Sequence, residues 1–548
     1  MSLLLARASR ARSDIAIPPA AGRVLRFAAA ELARYLKAIS GAEFTIAEAP
    51  ASGNAITLAA RAAAGGDDAF ELVVTDSAIA ISASNERSAL YGVYELLETL
   101  GCVFAEPGIE TVPRLPDLEI RAFRKSYAAA FPLRNIFRIQ KINVGKNGAY
   151  HGFEEHHRPQ IDWMAKRKLN RYLFYVDHNR YDLWERYKHQ VLDDLLNRGF
   201  DLELTQHSMG YFCPADAEED YAGYGPATYQ ATHPDWYSGP RKVRIEIPEV
   251  QAIVFSRFMD FVRRNPELDT LALWPIDSGM KAPYEGMNPA DGYLIFWNKL
   301  AERLAAEFPG KKLSVLAYFD LLEPPLKTRG HPNLHLWFCP VFAHSMYPMT
   351  DRRNRRYLDQ FSAWSSMMPP RSIGVFGYYG WYPLLTPLAH KMKQDLKAYG
   401  ERGAAGIYGW CGFSYNLMGT GWRWARELNI LADLHWNPDC DPEQVARRWA
   451  RAVFGEAADD ILRFYQIIRE FYDEEAPRGL GGGREQQVWI SLPTLRRGLA
   501  ALDAARGRAA GDAVLRRIDL LEETLAHGAA AVVPRTDPRD NLEGIYPF

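Results

Sequence analysis

The feature that most constrains the fold is a regular alternation of short apolar runs with amphipathic helical patterns between about residues 130 and 436. The strand-like runs are PLRNIFRI, RYLFYVD, DLELTQH, TLALWPID, LSVLAYFD, LHLWFCPV, SIGVFGYY and GAAGIYGW. Helical patterns such as PEVQAIVFSRFMDFVRR and LIFWNKLAERLAAEF separate them, with apolar residues every three or four positions. Eight strand–helix units within about 310 residues predict an α/β fold built on a (β/α)8 TIM barrel with insertions.

A doubly wound open sheet is the structural alternative, because it produces the same alternation of strands and helices. Such sheets usually carry a glycine-rich phosphate-binding turn after an early strand. This sequence has no such turn. The barrel is therefore the favoured fold.

Two regions flank the predicted barrel. Residues 1–125 combine a helix that ends at Gly41, several strand-like runs and a second helix that ends at Gly101, which is typical of a small α/β domain. Beyond Trp436 the chain reads almost wholly as helix. The predicted units are an N-terminal α/β domain at 1–125, the TIM barrel at 126–436 and a C-terminal helical domain at 437–548.

The composition argues against several classes of partner. The 65 basic and 67 acidic side chains nearly cancel, so there is no electrostatic footprint for nucleic acid or an anionic membrane. No apolar stretch of about 18 residues predicts a membrane span. The first residues, MSLLLARASRARSD, have too short an apolar run for a signal peptide. The five cysteines are scattered without CxxC spacing, and a cytoplasmic location is expected.

Several catalytic motifs are also missing from the sequence. It has no P-loop and no dinucleotide-binding fingerprint, so no cofactor is expected. It has no HExxH and no carboxylate cluster at metal-ligand spacing, so no metal is expected. The lack of a GxSxG elbow disfavours an esterase of the α/β-hydrolase type.

A TIM barrel carries its active site at the C-terminal ends of its strands. The residues at these ends suit a sugar, because flat rings cover sugar faces and polar groups bind hydroxyls. The residues predicted to bind substrate are Arg134, Asp177, His178, His207, Trp274, Tyr318, His344, Tyr378, Tyr379, Trp381 and Trp410. The aromatic content of 12% fits this interpretation, although a large aromatic core would give the same figure.

Hydrolysis of a glycosidic bond needs a protonated acid at the leaving oxygen and a second group that acts on the sugar. The second group is a base, a nucleophile or a carboxylate that steadies the substrate's own acetamido group. Asp277 follows Trp274 and Pro275 at the end of the fourth strand, and a carboxyl group with aromatic neighbours can hold a proton near neutral pH. We predict that Asp277 is the general acid/base, with Glu285 or Asp320 as its partner.

The two strand-end aspartates also have structural interpretations. Asp277 suits a turn or a helix cap, since Gly279 follows closely. Asp320 suits an ion pair that holds the fifth loop. Position in the sequence alone does not decide between these roles and catalysis.

Other predicted site residues have alternatives of their own. Asp177 and His178 suit metal ligation or the binding of sugar hydroxyls, and a histidine at a strand end is often structural. Tyr378 and Tyr379 are adjacent in one strand, so only one of them can face the site.

Several segments resemble known glycosidases. The segments AAAELARYLKAISGAEFTI, ALYGVYELLETLGCVFAEPG and VPRLPDLEI resemble the N-terminal domain of family 67 α-glucuronidases and family 20 hexosaminidases. Over nearly its full length the chain resembles the bacterial domain-of-unknown-function family 4838, part of which is glycoside hydrolase family 163. The strand LALWPID, the sequence TQHS and the late segment LADLHWNPDCDPEQVARRWARAVFGEAA carry this likeness.

The resemblance implies a retaining hydrolase of the β-N-acetylglucosaminidase type, with Asp277 in or next to the acid/base position. Substrate acetamido assistance is one form of this mechanism. An α-glucuronidase-like hydrolase and a glycan-binding protein without catalysis are the alternatives. The expected partner is an oligosaccharide or glycoside, and the expected assembly is a homodimer.

The sequence departs from these families at the catalytic positions. Family 20 enzymes carry an aspartate and a glutamate side by side on the fourth strand, whereas Ser278 follows Asp277 here. The later strands GYYGWY and GIYGWCGF are aromatic where family 67 enzymes have carboxylates. The second catalytic group therefore stays open at this stage.

Overall fold

The computed structural model of the protein describes residues 2–48, 54–61, 67–137, 153–175, 179–225, 229–277, 283–344, 346–379, 387–410, 425–474 and 491–530. Within these residues the chain forms mixed sheets first, then a parallel barrel, and last a group of helices. This is the order that the sequence predicts. The domain limits at residues 125 and 436 stay predictions.

The N-terminal region contains two helices and eleven strands in its described part. They are β1 (Ser2–Arg7), β2 (Arg10–Ala11), β3 (Asp14–Ala16), α1 (Arg23–Ser40), β4 (Ile46–Ala47), β5 (Ala55–Ala60), β6 (Ala69–Val74), β7 (Ala78–Ala83), α2 (Glu86–Thr99), β8 (Val103–Glu106), β9 (Ile109–Thr111), β10 (Leu118–Arg121) and β11 (Phe123–Ala128). Six strands form a mixed sheet in the order β11-β6-β7-β5-β3-β4. Helix α1 ends at Gly41, whose left-handed backbone (φ 75°) lets its N–H bond to the carbonyl of Lys37.

The barrel consists of eight parallel strands in sequential order. They are β12 (Asn135–Phe137), β13 (Arg171–Tyr175), β14 (Asp201–Thr205), β15 (Thr270–Ala272), β16 (Lys312–Ala317), β17 (Leu334–Phe338), β18 (Ile373–Tyr378) and β19 (Gly406–Trp410). Strand β12 pairs with β19, and the backbone N–H of Asn170 donates to the carbonyl of Arg134 at 3.0 Å across the β12–β13 junction. The barrel is thus nearly closed, and the predicted TIM-like fold is confirmed.

Helices follow most of the barrel strands. They are α3 (Phe153–Lys166), α4 (Asp182–Tyr187), α5 (Leu192–Asn197), α6 (Met209–Phe212), α7 (Pro248–Arg264), α8 (Pro289–Glu307), α9 (Arg355–Met367), α10 (Ala389–Gly400) and α11 (Ala425–Trp436). The pattern LWERYKHQVLDDLLNRG predicts one helix, but Val191 leaves the helical region (φ −131°, ψ −7°) and separates α4 from α5. Between β16 and β17 the described chain has only the 3-10 turn Phe319–Leu322, because the prolines of EPPLKTRGHP oppose a longer helix.

The C-terminal region is helical wherever it is described. Its helices are α12 (Pro442–Phe454), α13 (Ala458–Glu474), α14 (Leu492–Arg508) and α15 (Asp512–Ala530). The side chains of Asp441 and Ser491 accept hydrogen bonds from backbone N–H groups at the starts of α12 and α14. Among the helices in the described ranges, none combines the length and apolar character that crossing a bilayer requires.

A separate cluster of buried side chains fills the barrel interior, distinct from the larger core that the outer helices cover. Trp337 of β17 extends across this interior, where its Nε1 donates to Glu203 of β14 at 2.9 Å. Its ring centroid lies 5.3 Å from that of Tyr408 in β19. Arg171 pairs with the other oxygen of the fully buried Glu203 at 2.9 Å. The lower part of the barrel is therefore packed core with an internally paired charge.

One buried histidine makes the stability of this packing depend on pH. Nε2 of His435 in α11 lies 2.6 Å from the carbonyl oxygen of Ile407 in β19. Burial lowers the pKa of His435 from 6.5 to about 4, so the folded state resists its protonation. Because the folded pKa is depressed, this stability is present above about pH 6.5 and is lost as the pH falls towards about 4.

Between about pH 7 and about pH 5, we expect the free energy of unfolding of the unmodified protein to fall by about 2 kcal/mol more than that of the His435→Gln variant. This figure follows from about 1.36 kcal/mol per pKa unit. Urea unfolding at the two pH values measures this difference. His189 is exposed in the segment between α4 and α5. His189→Gln is the control and should behave as the unmodified protein does; equal pH dependence in all three proteins would contradict the prediction.

Candidate functional site

The C-terminal ends of the barrel strands form a face that we call the mouth. Several side chains of the interior cluster approach it, because alternate residues of each strand point inward. They are Tyr175 of β13, Trp274 after β15, Tyr318 after β16, Cys339 after β17 and Tyr378 of β18. His207, after β14, joins them: its ring centroid lies 5.7 Å from that of Trp274 and 6.1 Å from that of Tyr318. The mouth is thus lined by aromatic rings, as the sequence predicts.

Asp277 lies beside His207 at this mouth. Oδ1 of Asp277 is 3.9 Å from Nε2 of His207, and the Asp277 side chain keeps 22% of its surface exposed. The histidine ring is buried and the carboxyl is open enough to meet a ligand. The structure therefore brings together two of the residues that the sequence predicts for the site.

The other ring nitrogen of His207 determines how it faces Asp277. Nδ1 lies 2.5 Å from the carbonyl oxygen of Pro275, which can only accept a hydrogen bond. Nδ1 therefore carries the proton, and in the neutral ring Nε2 presents a lone pair towards Asp277. At 3.9 Å the two groups are too far apart for a direct hydrogen bond but close enough to interact electrostatically.

Two proton donors lie on the opposite wall. Burial raises the pKa of Tyr378 well above 10, and the nearby Cys339, Tyr318 and Asp277 add to this effect. Burial also raises the pKa of the Cys339 thiol, which shares a hydrogen bond with Tyr378. Both groups are therefore neutral at physiological pH, which suits the binding of hydroxyl groups and does not suit a thiolate nucleophile.

Tyr379 does not face the mouth, and its predicted role in substrate binding is corrected. Its hydroxyl donates to Asp395 of α10 at 3.3 Å, and the Lys391 ammonium lies 5.2 Å from its ring centroid. Strand alternation turns Tyr378 inward and its neighbour outward against α10. Only one of the two tyrosines lines the mouth, as their adjacency requires.

Arg134 is also corrected, because it lies far from solvent at the junction with the N-terminal region. Its guanidinium pairs with Asp68 at 2.5 Å and donates to the carbonyl oxygens of Lys168 at 2.8 Å and Phe131 at 2.9 Å. Arg134 is fully buried, and each nitrogen of its guanidinium donates to a protein group. Its role is to join the barrel to the N-terminal sheet.

The two predicted partner carboxylates are on the solvent side of their loops. Glu285 is exposed in the turn before α8. Asp320 is exposed in the 3-10 turn after β16. Burial of Tyr293 in α8, together with the charges of Glu246 and Asp320, raises the pKa of that tyrosine. Asp277, in contrast, is the carboxylate in contact with His207.

The remaining predicted residues are placed as follows. His344 is buried in the loop after β17, with its backbone N–H bonded to Asn354 at 2.7 Å. Trp410 ends β19, but its side chain is outside the described part of the structure. Asp177, His178 and Trp381 lie outside the described residues. In the described part of the chain, no group of three or more His, Cys, Asp or Glu has the arrangement of a metal site.

Two features of the mouth were not predicted. Cys339 lies two residues after Trp337, so strict period-2 reading of the sixth strand would have found it. Asn179 has a left-handed backbone (φ 57°), and its N–H donates to the carbonyl of His207 at 3.3 Å. The buried Glu219 accepts from Asn179 at 3.0 Å, and burial raises the pKa of Glu219. These contacts hold the third loop beside His207.

With this geometry established, the chain can be compared with known proteins. Residues 277–466 match the family described as Domain of unknown function (DUF4838). The matched segment covers 190 of the 548 residues. No curated protein sequence matches the chain. The DUF4838 match begins at Asp277 and continues through β16–β19 into α13, so it includes half of the barrel strands and the first C-terminal helices.

Solved structures show that the fold around the DUF4838 domain is shared with glycoside hydrolases. A family GH115 4-O-methyl-α-glucuronidase with specificity for decorated arabinogalactans has a TM-score of 0.64 at 14% identity, covering 96% of this chain and 72% of that one. A GH138 enzyme targeting pectin rhamnogalacturonan II has a TM-score of 0.62 at 11% identity, covering 95% and 85%. The chitobiase of Flavobacterium johnsoniae has a TM-score of 0.52 at 12% identity, covering 100% and 91%.

Proposed function

We propose that this protein is a glycoside hydrolase in which Asp277 is the general acid/base. The observation that carries the proposal is the Asp277–His207 pair, which lies among aromatic rings at the C-terminal end of a TIM-like barrel. In this fold the C-terminal ends of the strands are where chemistry occurs. The shared fold with glycoside hydrolases supports the reaction class.

The side chains around Asp277 suit the binding of a sugar. Trp274 and Tyr318 provide apolar ring surface, and Tyr378 provides a neutral hydroxyl. The protonated form of Asp277 would donate its proton to the leaving oxygen as the glycosidic bond breaks. Nε2 of His207 faces this carboxyl at 3.9 Å, so one bridging water would let the pair pass a proton between them during the cycle.

The second catalytic group is proposed to be the substrate's own acetamido group. Glu285 and Asp320 are exposed, whereas Asp277 lies beside the buried His207. An acetamido group is already attached to the reacting sugar and needs no second protein nucleophile. This favours a β-N-acetylglucosaminidase-like activity over an α-glucuronidase-like one.

The test is a screen of purified protein against aryl glycosides and natural glycans, including β-N-acetylglucosaminides and α-glucuronides. We expect release of sugar from a β-N-acetylglucosaminide, with the first-formed product anomer retaining its configuration when observed by NMR. Retention excludes a simple inverting mechanism. Turnover of α-glucuronides alone would overturn the proposed substrate class while leaving hydrolysis intact.

A glycan-binding protein without catalysis is the second candidate. Asp277 is the one partly buried carboxylate of the three predicted for catalysis, and this favours binding without catalysis, because a hydrolase without acetamido assistance needs a second carboxylate near the bond. Binding of glycans by calorimetry with no turnover of any of them would identify this function. Turnover that Asp277→Asn removes would exclude it.

A further inference from the structure

A second site lies in the C-terminal helices. Helices α11, α12 and α13 enclose a cavity of about 430 Å³. Four arginines line it, Arg426, Arg447, Arg463 and Arg469, against two acidic residues, Glu443 and Asp459. We propose that this cavity binds an anionic group of the substrate glycan, a carboxylate, sulfate or phosphate, through these arginines.

The topology brings this cavity to the same face as the mouth. Helices that follow barrel strands begin at the C-terminal ends of those strands. Arg426 is in the first turn of α11, which follows β19, and His390 is in the first turn of α10, which follows β18. Nε2 of His390 lies 3.8 Å from Oε1 of Glu443, one of the residues lining the cavity. The cavity therefore lies beside the seventh and eighth strand–helix units, on the same side of the barrel as the mouth.

The wall of the cavity holds buried polar groups that lack partners among the described residues. The hydroxyl of Tyr465 and the Nε of Arg426 are both buried without a hydrogen bond there. Burial raises the pKa of Tyr465 well above 10, so its hydroxyl stays a neutral donor. A buried donor without an acceptor is costly, so these two groups leave the wall of the cavity short of acceptors. An anion with two or three oxygens suits this set of donors.

The arginines are only loosely neutralised by the protein. Arg469 is 3.5 Å from Glu443 and 3.4 Å from Asp473, and Arg463 is 3.4 Å from Glu470. These distances exceed those of close bidentate pairs. Arg426 is the exception, because it pairs with the buried Glu427 at 2.6 Å.

Arg447 provides the clearest unused charge. It is exposed on α12, and no ion pair joins it to the part of the chain that the structure describes. It lies one turn after Glu443 and faces the same cavity as Arg463. Guanidinium groups that converge in this way bind planar carboxylates and tetrahedral oxyanions more favourably than they bind neutral sugars.

The inference rests on the proposed function, because it assigns the anion to the glycan. The test measures binding by ligand-observed NMR and calorimetry, which need no turnover. The probes are glucuronate, glucose 6-sulfate, glucose 6-phosphate and neutral methyl glucoside. We expect at least one anion to bind at least tenfold more tightly than methyl glucoside, and its identity distinguishes carboxylate from sulfate or phosphate. Equal binding of all four probes would overturn the proposal.

Variants distinguish this site from the mouth. Arg447→Gln and Arg463→Gln should each weaken binding of the preferred anion at least tenfold, because each removes a positive charge that lines the cavity. Both side chains are exposed, so the substitutions spare the core. Arg451→Gln, one turn further along α12 and outside the cavity, is the control and should bind normally. Asp277→Asn should also bind the anion normally, so failure of hydrolysis and failure of this site give different results. Unchanged binding in the first two variants would refute the assignment.

Discussion

Replacing Asp277 with Asn is expected to lower turnover of the active glycan by about 10²–10⁴-fold, the usual contribution of a positioned acid or base. Asparagine preserves the shape of the side chain but cannot donate a carboxylic proton to the leaving oxygen. The fold should remain intact, because Asp277 is partly exposed and its contact with His207 is 3.9 Å long. Steady-state kcat/KM measures the first effect, and thermal unfolding measures the second.

The exposed carboxylates provide matched controls for this substitution. Glu285→Gln and Asp320→Asn make the same chemical change on neighbouring loops of the mouth. If the acetamido group of the substrate is the second catalytic group, both variants should retain turnover within about tenfold, well short of the 10²–10⁴-fold loss typical of a removed acid or base. Near-normal turnover in Asp277→Asn, or an equally large loss in either control, would contradict the assigned roles.

The sequence predicts the barrel well because its strands are buried on both sides. Such strands form nearly continuous apolar runs, and the helices between them show a clear helical period. The same logic located the mouth residues His207, Trp274 and Tyr318, since each directly follows a recognisable strand. The fifth strand–helix unit differs, because its described part has a 3-10 turn in place of an α-helix. The prolines between β16 and β17 explain this difference.

The errors at the site come from the direction of side chains. Arg134 lies just before β12, but its long side chain extends to Asp68 in the N-terminal region, a contact that no local pattern reveals. The sequence does not say which of Tyr378 and Tyr379 faces inward. In the structure Phe376 lies inside the barrel, so Tyr378, two residues later in β18, faces inward as well. The second carboxylate depends on loop conformation, which hydrophobic periodicity does not encode.

The ion pair between Arg134 and Asp68 accounts for the largest effect on stability that we expect. Asp68 is buried and accepts from Arg134 at 2.5 Å, from Asn85 at 2.8 Å and from Ser88 at 3.1 Å. Burial alone would raise the pKa of Asp68, but the guanidinium groups of Arg87 and Arg134 lower it well below its usual range. The carboxylate thus neutralises the fully buried Arg134 at the junction of two regions of the chain.

Replacing Asp68 with Asn should lower the free energy of unfolding by about 3–5 kcal/mol, because it leaves the Arg134 charge buried and uncompensated. Urea unfolding at neutral pH measures this loss. Since the folded pKa of Asp68 is depressed, its contribution is present above the unfolded value of 3.8 and is lost as the pH falls below it. The difference between the two proteins should therefore shrink on acidification.

The adjacent aspartate supplies the matched control. Asp67 pairs with Arg371 at 2.7 Å and 2.9 Å, also across the junction with the barrel, but both side chains are about half exposed. Water already solvates such a pair, so Asp67→Asn should cost under about 1 kcal/mol. The two substitutions are identical and adjacent, and their sites differ in burial and in the number of groups from which the carboxylate accepts. Equal losses in the two variants would show that burial of Arg134 does not make Asp68 essential, and that the regions are held together by their apolar contacts instead.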